Sequence, residues 1–387
     1  MGVAFQIAPA RSSRQVAEIL MEKPDAFLLV SPGPVDGYPP VQYQARLLAG
    51  AGHAVTLVTT SLTLDETPPA FTCPGVTVRC VPAAGRRPAR MMRFARALWA
   101  ARRALPRDAV EIAYDAIGLL YSDLVPGRPS RRVAHLHELL QYMDSFPERR
   151  LSRAIHRYAA VIVPDAGRAA VTQRQMGMFA PPLVIENYPL RADAPLAPPK
   201  PPGARFEVVY CGSLGLHQKL DQVIQSIPMW PGNTDLVLIG QDTTATARKL
   251  RNLTGELGLS DRVQFLGWMD TPEAECRAAG ADLGIALLDS GWEQWRTALG
   301  ASNKRYQYMK AGLPQIGDHN PGVPELLEGI GSCVTTHEPG EIAALVTAYV
   351  TEPGRCAGEG ARAFERHQTE FNYERVFQKL LDRIDTL

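Results

Sequence analysis

The chain has 387 residues, which is more than one ordinary hydrophobic core accommodates and suits two domains. Hydrophobic residues make up 45% and charged residues 21%, a balance that excludes a largely disordered protein. The net charge of +1 conceals an asymmetry, because residues 1–190 carry 22 Lys/Arg against 15 Asp/Glu and residues 191–387 carry 19 against 25. Either the basic half faces an anionic partner, or two folded domains differ in charge.

Cysteine spacing and hydropathy bear on the compartment. None of the six cysteines forms a C-x-x-C pair, so a disulfide framework or a zinc site is not expected. No apolar run approaches the roughly 18 residues that span a bilayer. Charged residues interrupt the start of the chain, which does not read as a signal peptide. We expect a cytoplasmic protein that is soluble or lies on a membrane.

The first half alternates strands and helices. Residues 13–22 are predicted to be a short helix, and the apolar run 26–31 is typical of a buried parallel strand. A Gly/Pro loop (32–40), a helix (41–52) and a strand (54–60) complete a βαβ unit, whose strands are parallel. Further elements follow, with strands at 76–82, 111–116 and 159–164, a strand leading into a loop at 131–138, and a helix at 88–104.

A Pro-rich segment separates the halves. Residues 189–205 contain six prolines, which favours a linker. The alternation then restarts, with strands at 206–212, 234–240, 262–267, 281–289 and 313–318 and helices at 219–227, 243–258, 271–280, 302–312, 338–352 and 371–385. This order predicts a doubly wound parallel sheet in each half, with ligands beyond the carboxyl ends of the strands, in the cleft between two Rossmann-like domains.

Segments of both halves carry a family resemblance. "DLVLIG…LRNLTGELGLSDRVQFLGWMDTPEAECRAAGADLGIAL" and "SNKRYQYMKAGLPQIGDHNPGVPELLEG" resemble the donor domain of retaining GT-B glycosyltransferases of family 4. "VQYQARLLAGAGHAVTLVTT", "HLHE" and "VIVPDAGRAAVTQRQMG" agree more weakly with the first domain. The resemblance implies an acceptor-binding domain (1–188), the linker (189–205), a nucleotide-sugar-binding domain (206–370) and a last helix (371–387) that crosses back to the first domain.

The helix that begins after Ser302 is the first candidate donor site. Its unpaired first-turn N–H groups and positive dipole end suit a diphosphate, and Asn303, Lys304 and Arg305 add donors. The alternative is an ordinary capped helix with solvated basic residues. Gln307 stands where the family usually has a glutamate for the nucleotide ribose, and Leu299 replaces a second glutamate. Gln307 can still hydrogen-bond a diol, without the stronger charged acceptor.

The loop after the strand 206–212 is the second candidate. The resemblance implies two cations here that neutralise the leaving diphosphate, but Gly212 is followed by Ser213 where an arginine is usual. Gln218 stands near the position of the family lysine, and Lys219 is one place away. Leaving-group stabilisation is the main electrostatic task of such a reaction. We therefore expect Lys219 to serve, against the alternative of a surface lysine.

The first domain contributes a histidine. The resemblance places His137, which is followed by Glu138, near the transferred sugar. The alternative is that His137 has only a structural role. His135, two residues earlier, is expected to point to the opposite face. Gly33 and Gly37 would let the first loop approach the donor phosphates, or they simply belong to a turn.

Three further residues follow from the resemblance alone. Glu325 matches a family glutamate that faces the cleft, with plain solvent exposure as the alternative. Gly267 and Trp268 lie where the family binds the nucleotide base. No Asp-x-Asp motif is placed for a diphosphate, so neither a metal ion nor another cofactor is implied.

Residues 86–107 contain eight arginines and no acid, interleaved with Met91, Met92, Phe94, Leu98 and Trp99. Such a basic amphipathic segment is typical of binding to a membrane surface, and related enzymes often act on lipid-linked acceptors at the cytoplasmic face. The alternative is a core-packed helix with solvated arginines. Nucleic-acid binding is not expected, because no aromatic or motif signature accompanies the charge.

The sequence is thus interpreted as a retaining glycosyltransferase that moves a sugar from a nucleoside diphosphate sugar to an acceptor hydroxyl. Two alternatives stay open. One is a non-catalytic GT-B homologue that supports another transferase, and the other is a different enzyme on the same fold, such as a sugar epimerase.

Overall fold

The computed structural model describes residues 25–61, 71–127, 129, 131–140, 146–191 and 203–386. Within them the chain forms two parallel sheets, each sandwiched between helices. The first sheet has the order β3-β2-β1-β4-β5-β6-β7. Its strands are β1 (Ala26–Pro34), β2 (Ala54–Thr60), β3 (Val76–Val81), β4 (Val110–Tyr114), β5 (Arg131–His135), β6 (Ala160–Val163) and β7 (Leu183–Val184).

The second sheet has the order β10-β9-β8-β11-β12-β13, and all its pairs are parallel. Its strands are β8 (Phe206–Cys211), β9 (Thr234–Ile239), β10 (Val263–Gly267), β11 (Leu283–Ala286), β12 (Gln315–Gly317) and β13 (Gly331–Cys333). The expectation of two doubly wound parallel α/β domains is confirmed.

Helices cover both faces of each sheet. In the first half they are α1 (Pro39–Gly50), α2 (Arg87–Ala104), α3 (Asp115–Leu124), α4 (Phe146–Ala154) and α5 (Ala166–Met176). In the second half they are α6 (Leu220–Ser226), α7 (Ala245–Glu256), α8 (Thr271–Ala279), α9 (Glu293–Arg296), α10 (Asn303–Lys310), α11 (Val323–Leu327), α12 (Pro339–Thr351), α13 (Pro353–Thr369) and α14 (Tyr373–Asp385).

The strands read as continuous apolar runs because both sheet faces are buried. Phe27 and Leu29 point into one core of the first sheet, and Leu28 and Val30 point into the other, all fully buried. Alternate residues of a strand face opposite sides, so a strand between two helix layers needs apolar side chains at every position.

The last helix packs against the first domain. Tyr373 at the start of α14 lies against Tyr43 of α1, with ring centroids 5.6 Å apart, and its hydroxyl accepts a 2.7 Å hydrogen bond from Gln44. Val376, Phe377 and Leu380 of α14 are buried in the same core as β1. These apolar residues recur at helical spacing and form the buried face of α14.

Some expected elements differ from the structure. The strand expected at 111–116 ends at Tyr114, and α3 begins at once with Asp115. Helix α13 was not anticipated. The predicted helix at 13–22 lies outside the described residues, as does most of the predicted linker, and the boundaries at 188, 205 and 370 stay predictions. No described helix is both long and apolar enough to cross a bilayer.

Both sheets reverse their strand order near the middle. The reversal lies between β1 and β4 in the first sheet and between β8 and β11 in the second. In doubly wound sheets ligands bind in the crevice at this point, beyond the carboxyl ends of the strands. Tyr38 and Asp115 follow β1 and β4, whereas Gly212 and the segment 287–302 follow β8 and β11.

Candidate active site

The N-terminus of α10 presents polar atoms that lack partners. Ser302 occupies the cap position in an extended conformation but makes no capping hydrogen bond through its side chain. Its Oγ and the Oδ1 of Asn303 are buried without a hydrogen-bond partner among the described residues. Buried polar groups are normally paired, and the first N–H groups of a helix are unpaired and electropositive. This end of α10 is suited to a polar, anionic ligand.

Lys304 adds a cation without a counterion. Its ammonium lies 5.0 Å from the centre of the Tyr210 ring, and no carboxylate in the described part of the chain forms an ion pair with it. Burial, with the nearby charge of Arg305, lowers the pKa of Lys304 to about 8. A depressed lysine pKa shows that the folded protein disfavours this charge until an anion compensates it.

Gly212 brings the backbone of the β8 loop close to that lysine. A Cβ built on Gly212 would lie 3.2 Å from Cε and 3.6 Å from Nζ of Lys304, and the φ of Gly212 is +140°. A larger residue would be strained and would crowd the lysine. Ser213, which replaces the usual arginine, is exposed, and its carbonyl oxygen accepts a 2.7 Å hydrogen bond from Tyr210.

Arg305 forms an ion pair inside the second domain. Its side chain is 1% exposed and donates to Asp318, which also accepts a 2.8 Å hydrogen bond from the backbone N–H of Leu288. Nε and Nη1 of Arg305 are also buried and have no hydrogen-bond partner among the described residues, so the expectation that Arg305 donates to a phosphate stays a prediction. The side chain stabilises the interior of the second domain, because its charge is matched there by a buried carboxylate.

Lys219 is neutralised in this structure. Its Nζ lies 3.1 Å from Oδ2 of Asp289, and Nδ1 of His217 lies 3.7 Å from the same oxygen. A hydrogen bond from the N–H of Gly291 and the ion pair with Lys219 lower the pKa of Asp289. Gln218 is buried, and its Oε1 has no partner among the described residues. A ligand would have to compete with Asp289 for Lys219.

His137 lies beyond the end of β5, in the wall of the cleft that the first domain forms. The second domain, with α10, forms the opposite wall. His137 is 3% exposed, and neither its Nδ1 nor its Nε2 has a hydrogen-bond partner in the described part of the chain. Its ring stacks on His135 with centroids 4.2 Å apart and meets Tyr38 edge-on at 4.7 Å. The expectation that His135 and His137 point to opposite faces was wrong, because residues two apart along a strand share a face.

Asp115 organises this wall and was not identified from the sequence. Its Oδ1 accepts hydrogen bonds from the N–H groups of His137 (2.7 Å) and Glu138 (3.2 Å), and its Oδ2 accepts one from the hydroxyl of Tyr38. Nδ1 of His137 lies 3.5 Å from Oδ2. The carboxylate thereby ties together the ends of β1, β4 and β5.

Backbone conformation marks one residue in each half. Asp115 and Lys219, with φ of 52° and 51°, are the non-glycine residues of positive φ among the described residues. Such conformations cost about 1–3 kcal/mol and concentrate at functional sites. Both follow strands that flank a reversal of strand order.

Arg168 links the two walls. From α5 it donates to the carbonyl oxygen of His137, and across the cleft it donates to the carbonyls of Gln294 (3.0 Å) and Thr297 (3.1 Å). A second hydrogen bond joins the same segments, because Oε1 of Gln294 accepts a 2.9 Å hydrogen bond from the N–H of Leu139. The His137 loop is thus fastened to the segment that leads into α10.

Other predicted residues line strand ends or the surface. Gly33 lies near the end of β1 and Gly37 follows that strand, and neither has an atom within 4 Å of an added Cβ. Gly267 ends β10, and its carbonyl oxygen accepts a 2.9 Å hydrogen bond from the backbone N–H of Gly240. The Trp268 side chain is 43% exposed. Gln307 is half-buried and Glu325 is exposed on α11. Within the described ranges, no group of three or more His, Cys, Asp or Glu residues is arranged to hold a metal ion.

Residues 205–352 match the protein family described as Glycosyl transferases group 1. The structure is similar to a sucrose-phosphate synthase from Thermosynechococcus elongatus (18% identity, TM-score 0.71), covering 92% of this chain and 97% of that one. It is also similar to HepE from Anabaena in complex with UDP-glucose (15% identity, TM-score 0.70), over 94% of this chain and 100% of that one.

WaaG, a glycosyltransferase involved in lipopolysaccharide biosynthesis, is similar at 16% identity and a TM-score of 0.62, over 93% of this chain and 99% of that one. No curated protein sequence matches the chain significantly. At these identities the structural likeness establishes the fold, which is the GT-B fold. Together with the family match of residues 205–352, it supports a glycosyltransferase.

Proposed function

We propose that the protein transfers a sugar from a nucleoside diphosphate sugar to an acceptor hydroxyl with retention of configuration, as in the family 4 enzymes that it resembles. The observation that carries the proposal is Lys304, a cation without a counterion at the N-terminus of α10, facing Gly212. The family match covers this helix, and HepE structures contain UDP or UDP-glucose.

In this proposal the diphosphate supplies the charge that Lys304 lacks. The N–H groups at the start of α10 and the Ser302 hydroxyl donate to its oxygens, and Asn303 can turn its amide N–H to them. Negative charge grows on the diphosphate as the sugar leaves, so these fixed donors stabilise the transition state more than the ground state. Lys219 joins them when the diphosphate displaces Asp289.

The other wall would hold the transferred sugar near His137. Retention requires the acceptor to approach on the face from which the diphosphate leaves, and the leaving diphosphate then helps to take the acceptor proton. Gly33 and Gly37 leave room for the donor beside the first loop. Gly267 and Trp268 would contact the base, and Glu325 would face the donor from α11.

One observation favours the alternative of a non-catalytic GT-B homologue. Leu299 and Gln307 stand where the family has glutamates, and Ser213 stands where it has an arginine. Gln307 can bind the ribose hydroxyls only through neutral hydrogen bonds, which are roughly half as strong as charged ones. A protein that had lost transfer activity would still need the fold in order to bind a partner.

The acceptor is proposed to be lipid-linked and reached at the cytoplasmic face of a membrane through α2. This helix buries Phe94 and Leu98 against the first sheet, whereas Met92 is 64% exposed and Trp99 is 42% exposed among its arginines. An exposed apolar and cationic face suits the headgroup region of an anionic bilayer.

The test is a thermal-shift screen against UDP, GDP, ADP, CMP, dTDP and their common sugars. A ligand that binds the native state raises the melting temperature by mass action. We expect one nucleotide family to do so, and Lys304→Ala to reduce the shift strongly at the same ligand concentration. The exposed Lys249 on α7 provides the control, since Lys249→Ala should keep the full shift. A well-folded protein that no nucleotide stabilises would favour the non-catalytic alternative.

A further inference from the structure

Asp115 acts on the imidazole of His137 as well as on its backbone. We propose that Asp115 is a positioning residue that holds His137 in the tautomer with the proton on Nδ1, so that Nε2 is left as a hydrogen-bond acceptor. The two oxygens of the carboxylate have different tasks. Oδ1 accepts hydrogen bonds from the N–H groups of His137 and Glu138. Oδ2 accepts one from the Tyr38 hydroxyl and lies 3.5 Å from Nδ1 of His137.

Asp115 is ionised at neutral pH. Burial by itself would raise its pKa, but hydrogen bonds and charge from His137, together with the hydroxyl of Tyr38, outweigh burial and lower the pKa. Burial and the neighbouring carboxylate raise the pKa of Tyr38 far above its ordinary value, so this hydroxyl stays protonated and donates. A carboxylate can only accept, and the ring nitrogen that faces it therefore carries the proton.

The 3.5 Å separation between Nδ1 and Oδ2 is longer than a hydrogen bond, and it acts as an electrostatic bias on the proton. Hydrogen bonds in unliganded active sites are often long and shorten when the ligand binds. Among the residues that the structure describes, the other neighbours place no competing acceptor at Nδ1. His135 stacks on the ring, and Arg168 contacts the backbone carbonyl of His137 and the carboxylate of Glu138.

His135 provides an internal contrast. Its Nδ1 lies 2.9 Å from Nε2 of Gln44, whose Oε1 accepts from Tyr114, so the Gln44 amide donates to Nδ1 of His135. His135 consequently carries its proton on Nε2, and burial lowers its pKa well below the ordinary value. Two stacked histidines thus take opposite tautomers, each set by the polar group beside Nδ1.

The functional consequence rests on the proposed function. Nε2 of His137 is buried with no partner in the described part of the chain, and it is ready to accept a hydrogen bond from a sugar hydroxyl. The opposite tautomer would present N–H there and would oblige that hydroxyl to accept. Asp115 therefore governs which hydroxyl geometry the site binds.

Asp115→Asn tests the assignment because the backbone fixes which way the amide points. The amide oxygen must stay with the N–H groups of His137 and Glu138, so the NH2 takes the place of Oδ2 and donates to Nδ1 of His137. The proton then moves to Nε2. Asparagine tolerates positive φ, so the fold and melting temperature should change little.

The measurement is ¹⁵N NMR of histidine side chains in the whole unliganded protein at about pH 8.5, about two units above the ordinary histidine pKa. His137→Gln identifies the His137 signals. We expect the Nδ1–H tautomer in the wild type and the Nε2–H tautomer in Asp115→Asn. Glu138→Gln, which removes a neighbouring charge without touching Nδ1, should leave the wild-type tautomer. An Nε2–H tautomer in the wild type, or Nδ1–H in Asp115→Asn, would overturn the proposal.

Kinetics separate this inference from the proposed function. With a transferable donor, Asp115→Asn should lower kcat/KM about tenfold, the value of one lost hydrogen bond. A tautomer change without any transfer activity in the wild type would support the inference and count against the transferase. Unchanged kcat/KM despite the tautomer change would remove His137 Nε2 from sugar binding.

Discussion

Affinity for a diphosphate donor should weaken as the pH rises through the pKa of Lys304. In the unliganded protein that pKa is about 8, because the ammonium is buried beside Arg305. The diphosphate binds the charged form, so each proton lost from Lys304 removes a binding-competent molecule. The sign follows directly, since binding is strongest below the pKa of the free protein and is lost above it.

The magnitude follows from the fraction of protein that carries the charge. At pH 9, about one unit above the pKa, about one molecule in ten retains the ammonium. The Kd should therefore be about tenfold higher than at pH 7, which corresponds to a binding free energy weaker by about 1.4 kcal/mol. The rise continues at about tenfold per pH unit until the pKa of the complex, which the bound anion raises.

Isothermal titration with UDP-glucose measures this dependence, because its diphosphate diester does not titrate in this range. If another donor gives the larger shift in the thermal screen, that donor replaces it. Lys304→Met should bind about 10- to 100-fold more weakly at pH 7, since a hydrogen bond from a charged group contributes about 1.5–3 kcal/mol. Its Kd should also be independent of pH. Lys249→Met should reproduce the wild-type curve. Parallel curves for the wild type and Lys304→Met would refute the reasoning.

Three further outcomes are expected. Gly300→Ala should lower the denaturation midpoint by the equivalent of about 1–3 kcal/mol, because the new Cβ would lie 2.2 Å from the carbonyl oxygen of Pro164 across the cleft. Gly232→Ala, in open space, is its control in the same melts. Arg168→Ala should destabilise the protein by at least about 2 kcal/mol in urea, since it leaves carbonyls on both walls without their donor; an unchanged midpoint would contradict the link between the walls. Met92→Glu should reduce the fraction of protein that cosediments with phosphatidylglycerol vesicles. If the wild-type protein does not cosediment with these vesicles, the membrane contact is excluded.

The strands were predictable because their physics is local. A run such as 26–31 is apolar at every position, and both faces of β1 are buried. The missed helices reflect packing that the sequence does not display. In α13, a Cβ added to Gly360 would lie 2.1 Å from the carbonyl oxygen of Gly312, which follows α10. Close helix contact, and not backbone flexibility, explains this glycine.

The candidate site was predictable only where a motif carries it. Ser302, Asn303 and Lys304 lie in a recognisable segment, and the structure leaves their polar groups without partners. Arg305 lies in the same sequence segment, but its side chain pairs with Asp318. The motif does not reveal that pairing. Pairs such as Leu139 and Gln294 join residues 155 apart in the chain. No spacing rule connects them, so Asp115 and Arg168 became visible only in three dimensions.

The last helix has a consequence for how the protein is made. The first domain needs α14, because Tyr373 completes its core and holds Gln44, the residue that orients His135. A ribosome delivers that helix after the entire second domain. The first domain is therefore completed only after the second has been synthesised, and the nascent chain must keep an incomplete core and a Gln44 side chain without its Tyr373 contact until α14 leaves the exit tunnel.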